Sequence, residues 1–216
     1  KWKKLNIIDN LNTQFDDIAS SLAYDGQRIL LFKNNEGHFD IYQSNLSGST
    51  WTDPKLKMSK IVNTSSNETF ASYDPQDIKV YYVSDGGYTG DQDIIFSGKK
   101  DNAEKYWGKG QSPGNKINSP YNEGSVYLAP DGQTMYFSSQ GHTSIGGYDI
   151  FVSYREENGE WGEPINLGYP INSPYDDLFF SISASAKYAY FSSNRLGGEG
   201  GMDIYKVTFL GPKKKP

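Results

Sequence analysis

The sequence predicts an all-β fold, a β-propeller of four blades. Its 216 residues contain four similar stretches, each marked by one of the four tryptophans. By subtraction of their positions, these tryptophans lie 49, 56 and 54 residues apart (Trp2, Trp51, Trp107 and Trp161). Each stretch contains four short strand-like segments separated by turn residues, which is typical of a propeller blade. The 15% aromatic content suits half-buried sheet faces.

The third stretch shows the four strands, named a to d from the propeller axis outward, most clearly. Strand a is about Gly124–Ala129, strand b Thr134–Ser139 and strand c Tyr148–Tyr154, and the segment at Trp161 is strand d. All four are short runs of β-branched, aromatic and small residues bounded by turn residues. We therefore predict four antiparallel strands in every blade.

The turns between strands a and b carry two kinds of sequence. Asp-Gly pairs occur at Asp25 and Asp131, and such pairs favour tight hairpins. The second copy has residues 74–77 at this place and the fourth has residues 185–187, both without an Asp-Gly pair. We expect those two turns to differ in type from the others.

The order of segments suggests how the ring closes. The chain opens on a d-type segment and ends on an a-b-c set, so the first segment can complete the last blade and hide its edge. We predict a propeller over residues 1–210, with blades at about 8–56, 57–112, 113–166 and 167–209 plus strand 1–7, and a linker or tail at 211–216. The alternative is part of a larger propeller.

Composition excludes some classes of function. The net charge of −5 lacks the basic footprint of a nucleic-acid-binding protein. No apolar run approaches the ~20 residues that a membrane-spanning helix needs. The chain has no cysteine, which removes disulfides, thiolate catalysis and thiolate metal ligands together.

Two sets of acidic residues recur at fixed places in the repeat. The inner set precedes strand a and the outer set begins strand c, so both emerge at the same face of a propeller. The inner set is Asp17, Glu68, Glu123 and Asp177, and the outer set is Asp40, Asp93, Asp149 and Asp203.

Each set has a structural and a functional interpretation. An outer aspartate can accept backbone N–H bonds from its tight loop, or the oxygen-rich segment 84–93 can form a Ca²⁺ site. The inner acids either tie neighbouring blades together or form a mouth that attracts a cation or a basic peptide. We favour the structural interpretation, with no metal or other cofactor. The recurring asparagines and the four tryptophans are also interpreted as structural (Asn12, Asn63, Asn118 and Asn172).

The candidate binding face therefore holds the four inner acids together with three loop residues: Tyr88, Arg195 and Glu199. Exposed tyrosines are also expected at positions 106 and 169, where the copies disagree. A partner bound there would meet both charge and aromatic surface.

We predict that the chain is not an enzyme. His38 and His142 both fall in b–c loops, and no Gly-x-Ser-x-Gly elbow is present. The segment 44–51 resembles the Asp-box of sialidases, but Leu46 stands where the aspartate belongs. Sialidases also hold a substrate carboxylate with three converging arginines, whereas here Arg28 and Arg155 are expected on one face and Arg195 on the other. A glycan-binding or glycoside-hydrolysing propeller, using acids such as Glu123 and Asp177, is the alternative.

Longer motifs carry a family resemblance that covers the whole chain. Residues 117–123, the turn Ala129–Gly132, the run 135–139 and the segment 146–152 resemble the WD-like propeller repeat named for its Pro-Asp pair, found in TolB-type periplasmic proteins. The segment 193–205 is similar to repeats in Bacteroidota envelope proteins of the OmpA family, which combine tetratricopeptide repeats, this propeller and a peptidoglycan-binding domain. One of them is a component of the type IX secretion system.

The resemblance implies a function as well as a fold. It implies a non-catalytic, protein-binding scaffold in the periplasm, associated with the outer membrane and linking a secretion machinery to the envelope. The implied partners are other envelope proteins, with peptidoglycan reached only through a neighbouring domain. No nucleic acid is expected as a partner, and no membrane-spanning segment.

Overall fold

The computed structural model of this chain describes residues 6–13, 16–35, 37–55, 60–99 and 107–211. A short 3₁₀ helix at Asp9–Leu11 precedes four antiparallel sheets, which follow one another in chain order. Sheet 1 contains β1 (Asp17–Leu22), β2 (Arg28–Asn35), β3 (His38–Ser47) and β4 (Thr50–Trp51), and sheet 2 contains β5 (Glu68–Tyr73), β6 (Lys79–Ser84) and β7 (Asp93–Gly98). Sheet 3 contains β8 (Glu123–Leu128), β9 (Thr134–Ser139), β10 (Asp149–Tyr154) and β11 (Ile165–Asn166), and sheet 4 contains β12 (Asp177–Ile182), β13 (Tyr188–Ser193) and β14 (Asp203–Thr208).

The first strand of each sheet lies innermost. β1 packs against β5, β5 against β8, and β8 against β12. A cavity of about 250 Å³ is lined by residues of all four inner strands. The rings of Phe70 and Phe179 meet there, with centroids 4.8 Å apart. The fold is therefore all-β and propeller-like, with sheets arranged about a central channel.

The hydrophobic core lies between the sheets. Tyr81 and Ile94 of sheet 2 pack with Phe137 and Phe151 of sheet 3 in one buried cluster, and similar clusters join the other neighbouring sheets. β9 is buried on both of its faces, because a sheet lies against each of them. β14 alternates between half-buried and exposed residues, as expected for an outer strand.

The predicted strands of the third copy agree with β8, β9 and β10 to within one residue. The prediction of four strands per blade is wrong for sheet 2, where β5, β6 and β7 are the strands that the described residues form. The segment after residue 106 makes two isolated bridges to β7, Lys99 with Trp107 and Phe96 with Gln111. Gly108 and Gly110 interrupt this segment, and glycine weakens a strand.

Sheet 4 also has three strands among the described residues. Its predicted fourth strand includes Trp2, which lies outside the described residues, as does most of the tail at 211–216. The closing of the ring by the first segment therefore stays a prediction.

The expected difference between the a–b turns is wrong. One residue in each turn has a left-handed backbone: Gly26, Asp77, Gly132 and Ala186, with φ of 68°, 57°, 65° and 53°. Each donates its N–H to the carbonyl three residues earlier, at 2.8–3.0 Å. Aspartate and alanine adopt this conformation less readily than glycine, but neither is excluded from it. The four turns are therefore equivalent, position by position.

Candidate binding face

The connections between strands emerge at two opposite ends of the sheets. The loop face is formed by the d–a loops (60–67, 112–122 and 167–176) and the b–c loops (85–92, 140–148 and 194–202). The turn face is formed by the a–b turns (23–27, 74–78, 129–133 and 183–187) and the c–d turns (48–49 and 155–160).

The four inner carboxylates are buried on the loop-face side, each at the first residue of an inner strand. Each accepts a hydrogen bond from the backbone N–H of the residue four positions earlier (Thr13, Thr64, Ser119 and Ser173). A second partner comes from the end of strand b in the first three sheets: Lys33 on Asp17 at 3.0 Å, Ser84 on Glu68 at 3.2 Å and Ser139 on Glu123 at 2.8 Å. These carboxylates therefore hold the d–a loops against their own sheets.

Glu123 differs from its equivalents in its second oxygen. Oε1 accepts bonds from the Ser119 and Ser139 side chains, each at 2.8 Å, whereas Oε2 is buried without a hydrogen-bond partner among the described residues. Burial raises the pKa of Glu123 to about 7, and repulsion from Asp93 acts in the same direction. Burial also raises the pKa of Glu68, although both of its oxygens accept hydrogen bonds.

Asp177 has a different partner, Arg195. The guanidinium of Arg195 lies 2.6 Å from the Asp177 carboxylate, donates to the carbonyl of Pro170 at 2.8 Å and covers the rings of Phe191 and Tyr205. Arg195 is thus engaged within sheet 4 and the loop before it. It is not a free contact residue, in contrast to the exposed Glu199 in the same loop.

The outer aspartates bind their own b–c loops. Asp93 accepts the backbone N–H and the hydroxyl of Thr89, at 2.7 and 2.8 Å, and Asp149 accepts the N–H of Ile145 at 2.8 Å. Asp203 accepts from Glu199 at 2.9 Å. Asp40 lies 3.6 Å from the ring of His38. No group of three or more His, Asp or Glu side chains able to hold a metal ion occurs in the described part of the chain.

Three asparagines of the d–a loops form what we call inter-blade latches. Each side chain accepts the backbone N–H and donates to the backbone C=O of the isoleucine after an outer aspartate, at 2.8–3.0 Å (Asn63 on Ile41, Asn118 on Ile94 and Asn172 on Ile150). All three are buried. Since each loop leads into the next sheet, a latch fixes the path between consecutive sheets.

The equivalent fourth latch would join Asn12 to Ile204. Asn12 instead donates to the carbonyl of Ile8 at 2.8 Å and is exposed, and Ile204 is 74% exposed. This end of the repeat therefore lacks the contact that the other three share.

The three tryptophans among the described residues pack within the protein, and Trp2 lies outside those residues. Trp107 and Trp161 are 3% and 4% exposed and belong to the clusters between sheets 1 and 2 and between sheets 2 and 3. Trp51 is half-buried in β4 and pairs with Leu46. These positions suit an outer-strand anchor.

The three arginines do not converge. Arg28 is paired with Asp25 and Asp77 at the turn face, Arg155 lies at the turn-face end of β10, and Arg195 lies on the loop face. His142 Nε2 is 3.0 Å from the Ile117 carbonyl, so this ring is held by a loop. This arrangement does not form the carboxylate clamp that the Asp-box resemblance would require.

The loops of the loop face carry more large exposed apolar side chains than the turns of the turn face do. Tyr88 and Tyr169, both singled out from the sequence, are 54% and 87% exposed. Tyr106 lies outside the described residues. The structure adds Tyr121 and Leu196, which are 61% and 82% exposed, together with Ile61, Ile145, Tyr175 and Met202. Their placement in d–a and b–c loops could have revealed them, whereas their exposure could not be deduced from sequence.

Comparison with known proteins shows the fold. No protein-family model matches the chain, and no curated protein does. TolB from Acinetobacter baumannii matches 92% of this chain and 42% of its own at a TM-score of 0.56 and 13% identity. A putative TolB from Agrobacterium tumefaciens matches 87% of this chain and 59% of its own, at a TM-score of 0.50 and 17% identity. A puromycin-hydrolyzing peptidase of Mycobacterium tuberculosis matches 93% of this chain and 32% of its own, at a TM-score of 0.50 and 14% identity.

This chain therefore spans less than two thirds of each of these structures. At such low identities the likeness shows a TolB-like β-propeller fold and no activity, because one fold hosts many functions. No helix in the described ranges is long and apolar enough to cross a membrane.

Proposed function

We propose that this chain is a non-catalytic, protein-binding module of a periplasmic, outer-membrane-associated envelope protein, and that it holds its partner on the loop face. The observation that carries this proposal is the set of exposed aromatic and aliphatic side chains on that face. Tyr121, Tyr169 and Leu196 are each more than 60% exposed. Exposed apolar side chains gathered on one face are typical of a protein-binding surface, and tyrosine is enriched in such surfaces.

The shape of the face supports the same proposal. A shallow cavity of about 280 Å³ lies between three loops of the loop face, beside Tyr121 and Gln140. By contrast, the turns of the turn face expose two large apolar side chains among the described residues, Tyr24 and Ile78, and each is less than half exposed. A partner with a protruding polar side chain would find a recess beside the Tyr121 ring, because Thr89, Asp91 and Gln140 line this cavity.

The non-catalytic part of the proposal is supported by the engagement of the acids. Each inner carboxylate accepts a hydrogen bond from its own d–a loop, and Asp177 is neutralised by Arg195. Catalytic carboxylates need an open position toward a substrate. The envelope location is supported by the resemblance of the repeat motifs to TolB-type and OmpA-family propellers. Peptidoglycan would be reached through a neighbouring domain.

Site-specific photo-crosslinking in the native cell tests the proposal. We expect a photoreactive phenylalanine at Tyr121 or at Tyr169 to crosslink the same envelope protein, and one at Ile78 on the turn face to crosslink none of it. Replacing Tyr121 and Tyr169 together by alanine should weaken binding of that purified partner at least about tenfold, because aromatic anchors dominate interface energies. The thermal midpoint of the double variant should match that of the wild type.

Two results would contradict the proposal. One is crosslinking from Ile78 that equals crosslinking from Tyr121. The other is a partner whose affinity is unchanged in the double variant.

A further inference from the structure

A second surface, the groove between sheets 2 and 3, contains two cations that have no ion-pair partner among the described residues. The groove forms a cavity of about 360 Å³ that extends from the c–d turn at residues 159–160 to the start of the d–a loop at residues 112–116. Lys79, at the start of β6, and Arg155, just after β10, line it together with the rings of Tyr81, Phe96 and Trp161. It is thus an aromatic cavity with positive charge at one end.

The geometry of both cations is set by these rings. Arg155 stacks on Trp161 at 4.4 Å and donates to the Tyr81 hydroxyl at 3.2 Å and to the Gly159 carbonyl at 3.1 Å. Lys79 lies over Phe96 at 5.0 Å. These contacts leave donors of both cations unused.

Neither cation forms an ion pair with a carboxylate of the described residues. Glu160 also lines the cavity, but its carboxylate accepts the Asn158 amide at 3.1 Å. Lys116, at the rim, is already paired with Glu156 at 3.1 Å. The positive charges of Lys79 and Arg155 are therefore not neutralised by a carboxylate of the described residues.

The groove between sheets 1 and 2 shows what these cations bind elsewhere in the same protein. Arg28 and Lys79 are equivalent, because each is the first residue of a strand b, β2 or β6. Each also lies five residues before the strand-b partner of an inner acid, which is Lys33 in sheet 1 and Ser84 in sheet 2. Lys99 forms a backbone β-bridge with Trp107 and its ammonium lies over the Trp107 ring. Arg155 has the same two contacts with Trp161. Both cations of this groove share one carboxylate oxygen: Asp77 Oδ2 is 2.8 Å from Arg28 and 2.8 Å from Lys99.

The residue equivalent to Asp77 in sheet 3 is Gly132. Both occupy the left-handed position of an a–b turn, with φ of 57° and 65°, and both donate to the carbonyl three residues earlier. Sheet 3 therefore has a cation and a tryptophan, Arg155 and Trp161, at the places of Lys99 and Trp107, but it has a glycine where sheet 2 has the carboxylate. Partly buried cations without a partner are costly, and a planar guanidinium suits a carboxylate.

We propose that the groove between sheets 2 and 3 is a binding site for a small organic carboxylate that carries a flat or apolar group. The carboxylate takes the place that the Asp77 side chain has in the neighbouring groove, between Lys79 and Arg155. The apolar group lies against Tyr81 and Phe96. The lining of the cavity does not include Tyr121, Tyr169 or Leu196, so this proposal does not depend on the proposed function.

Titration of the ¹⁵N-labelled protein with benzoate, and with neutral benzamide as the matched control, tests this proposal. We expect benzoate to shift the Arg155 Nε–H and Trp161 indole N–H signals saturably, and benzamide to bind at least about tenfold more weakly. N-acetylphenylalanine and glucuronate distinguish two sources of the carboxylate. Tighter binding of the first indicates a peptide end, and tighter binding of the second indicates an acidic sugar.

Two variants at one turn position sharpen the test. Gly132→Asp supplies the missing carboxylate and should weaken benzoate binding at least tenfold; aspartate already occupies this position in sheet 2, and a Cβ at Gly132 would meet the flexible end of Gln76 at 3.3 Å. Asp77→Gly removes the internal carboxylate and should create a second benzoate site, seen at the Trp107 indole.

Thermal melts establish that both variants fold. The proposal is overturned if none of the three carboxylates binds the wild type. It is also overturned if Gly132→Asp binds benzoate as the wild type does, or if Asp77→Gly gains no second site.

Discussion

Replacing Asn118 by alanine should lower the free energy of unfolding by about 3 kcal/mol, because it leaves two buried backbone groups unpaired. The N–H and C=O of Ile94 are bound by this one side chain, at 3.0 and 2.9 Å. Asn118 itself is 3% exposed, so water does not readily replace it. For a chain of this length the thermal midpoint should fall by roughly 6–12 °C.

Asn12→Ala is the matched control, because Asn12 is the same residue at the same place in the repeat. It is exposed, and its side chain donates to the Ile8 carbonyl and to no other group of the described residues, so its loss should cost less than about 0.5 kcal/mol. Chemical denaturation of both variants measures the difference. Equal destabilisation by the two substitutions would mean that the latch at Ile94 is not what stabilises the path between sheets 2 and 3.

Glu123→Gln should stabilise the protein above neutral pH and lose this advantage in acid. The folded pKa of Glu123 is about 7, above its ordinary value of 4.5. Between these two values the folded state binds more protons than the unfolded state, so stability falls as pH rises through this window. The complete loss is about 3 kcal/mol at most, since each pKa unit corresponds to about 1.4 kcal/mol. Glutamine removes the charge and keeps an oxygen for Ser119 and Ser139.

The measurement is the free energy of unfolding of both proteins from pH 4 to pH 8. The difference between variant and wild type isolates Glu123 from Glu68 and Asp149, whose pKa values burial also raises. We expect the stability of the variant relative to the wild type to rise by about 2–3 kcal/mol from pH 5 to pH 8. The new amide N–H₂ lacks an acceptor and lowers the stability of the variant by a constant amount at every pH. A difference that stays constant with pH would show that Glu123 ionises normally.

Asp177→Asn provides a contrast of opposite sign. Asp177 is bound by Arg195 at 2.6 Å, so neutralising it leaves a half-buried guanidinium without its counter-ion. We expect destabilisation at neutral pH from this substitution, since breaking one partner of a buried pair is costly. Two acids at equivalent positions thus differ because one has a cationic partner and the other has none.

Much of the fold could be predicted from the repeat. The strand Thr134–Ser139 was predicted with its observed bounds, because turn residues flank it on both sides. The prediction of a fourth strand in sheet 2 is wrong. It rested on the alignment of the tryptophans and did not consider Gly108 and Gly110, which weaken a strand at this place. The turn at Asp77 was also misjudged, because aspartate adopts the left-handed backbone that its glycine equivalents have.

The candidate site was less predictable, for physical reasons. The sequence placed the acids on one face. It could not show that one carboxylate oxygen of Glu123 has no hydrogen-bond partner among the described residues, whereas both oxygens of Glu68 accept hydrogen bonds. That difference depends on side-chain geometry. Arg195 was expected to be a contact residue, yet it reaches Asp177 and Pro170, 18 and 25 positions earlier. Contacts between residues so far apart in the chain leave no local pattern in the sequence.

The central claim is that the repeated polar residues build the propeller and leave the loop face to its exposed side chains. Hydrogen exchange of four equivalent backbone amides tests it most directly. We predict slow exchange at Ile41, Ile94 and Ile150, where a latch holds each N–H, and loss of protection at Ile94 in Asn118→Ala.

Ile204 serves as the internal reference, because it lacks a latch and is 74% exposed. Its amide should exchange rapidly unless the first segment closes the ring, which would protect it. Exchange at Ile41, Ile94 and Ile150 as fast as that of exposed loop amides would contradict the account.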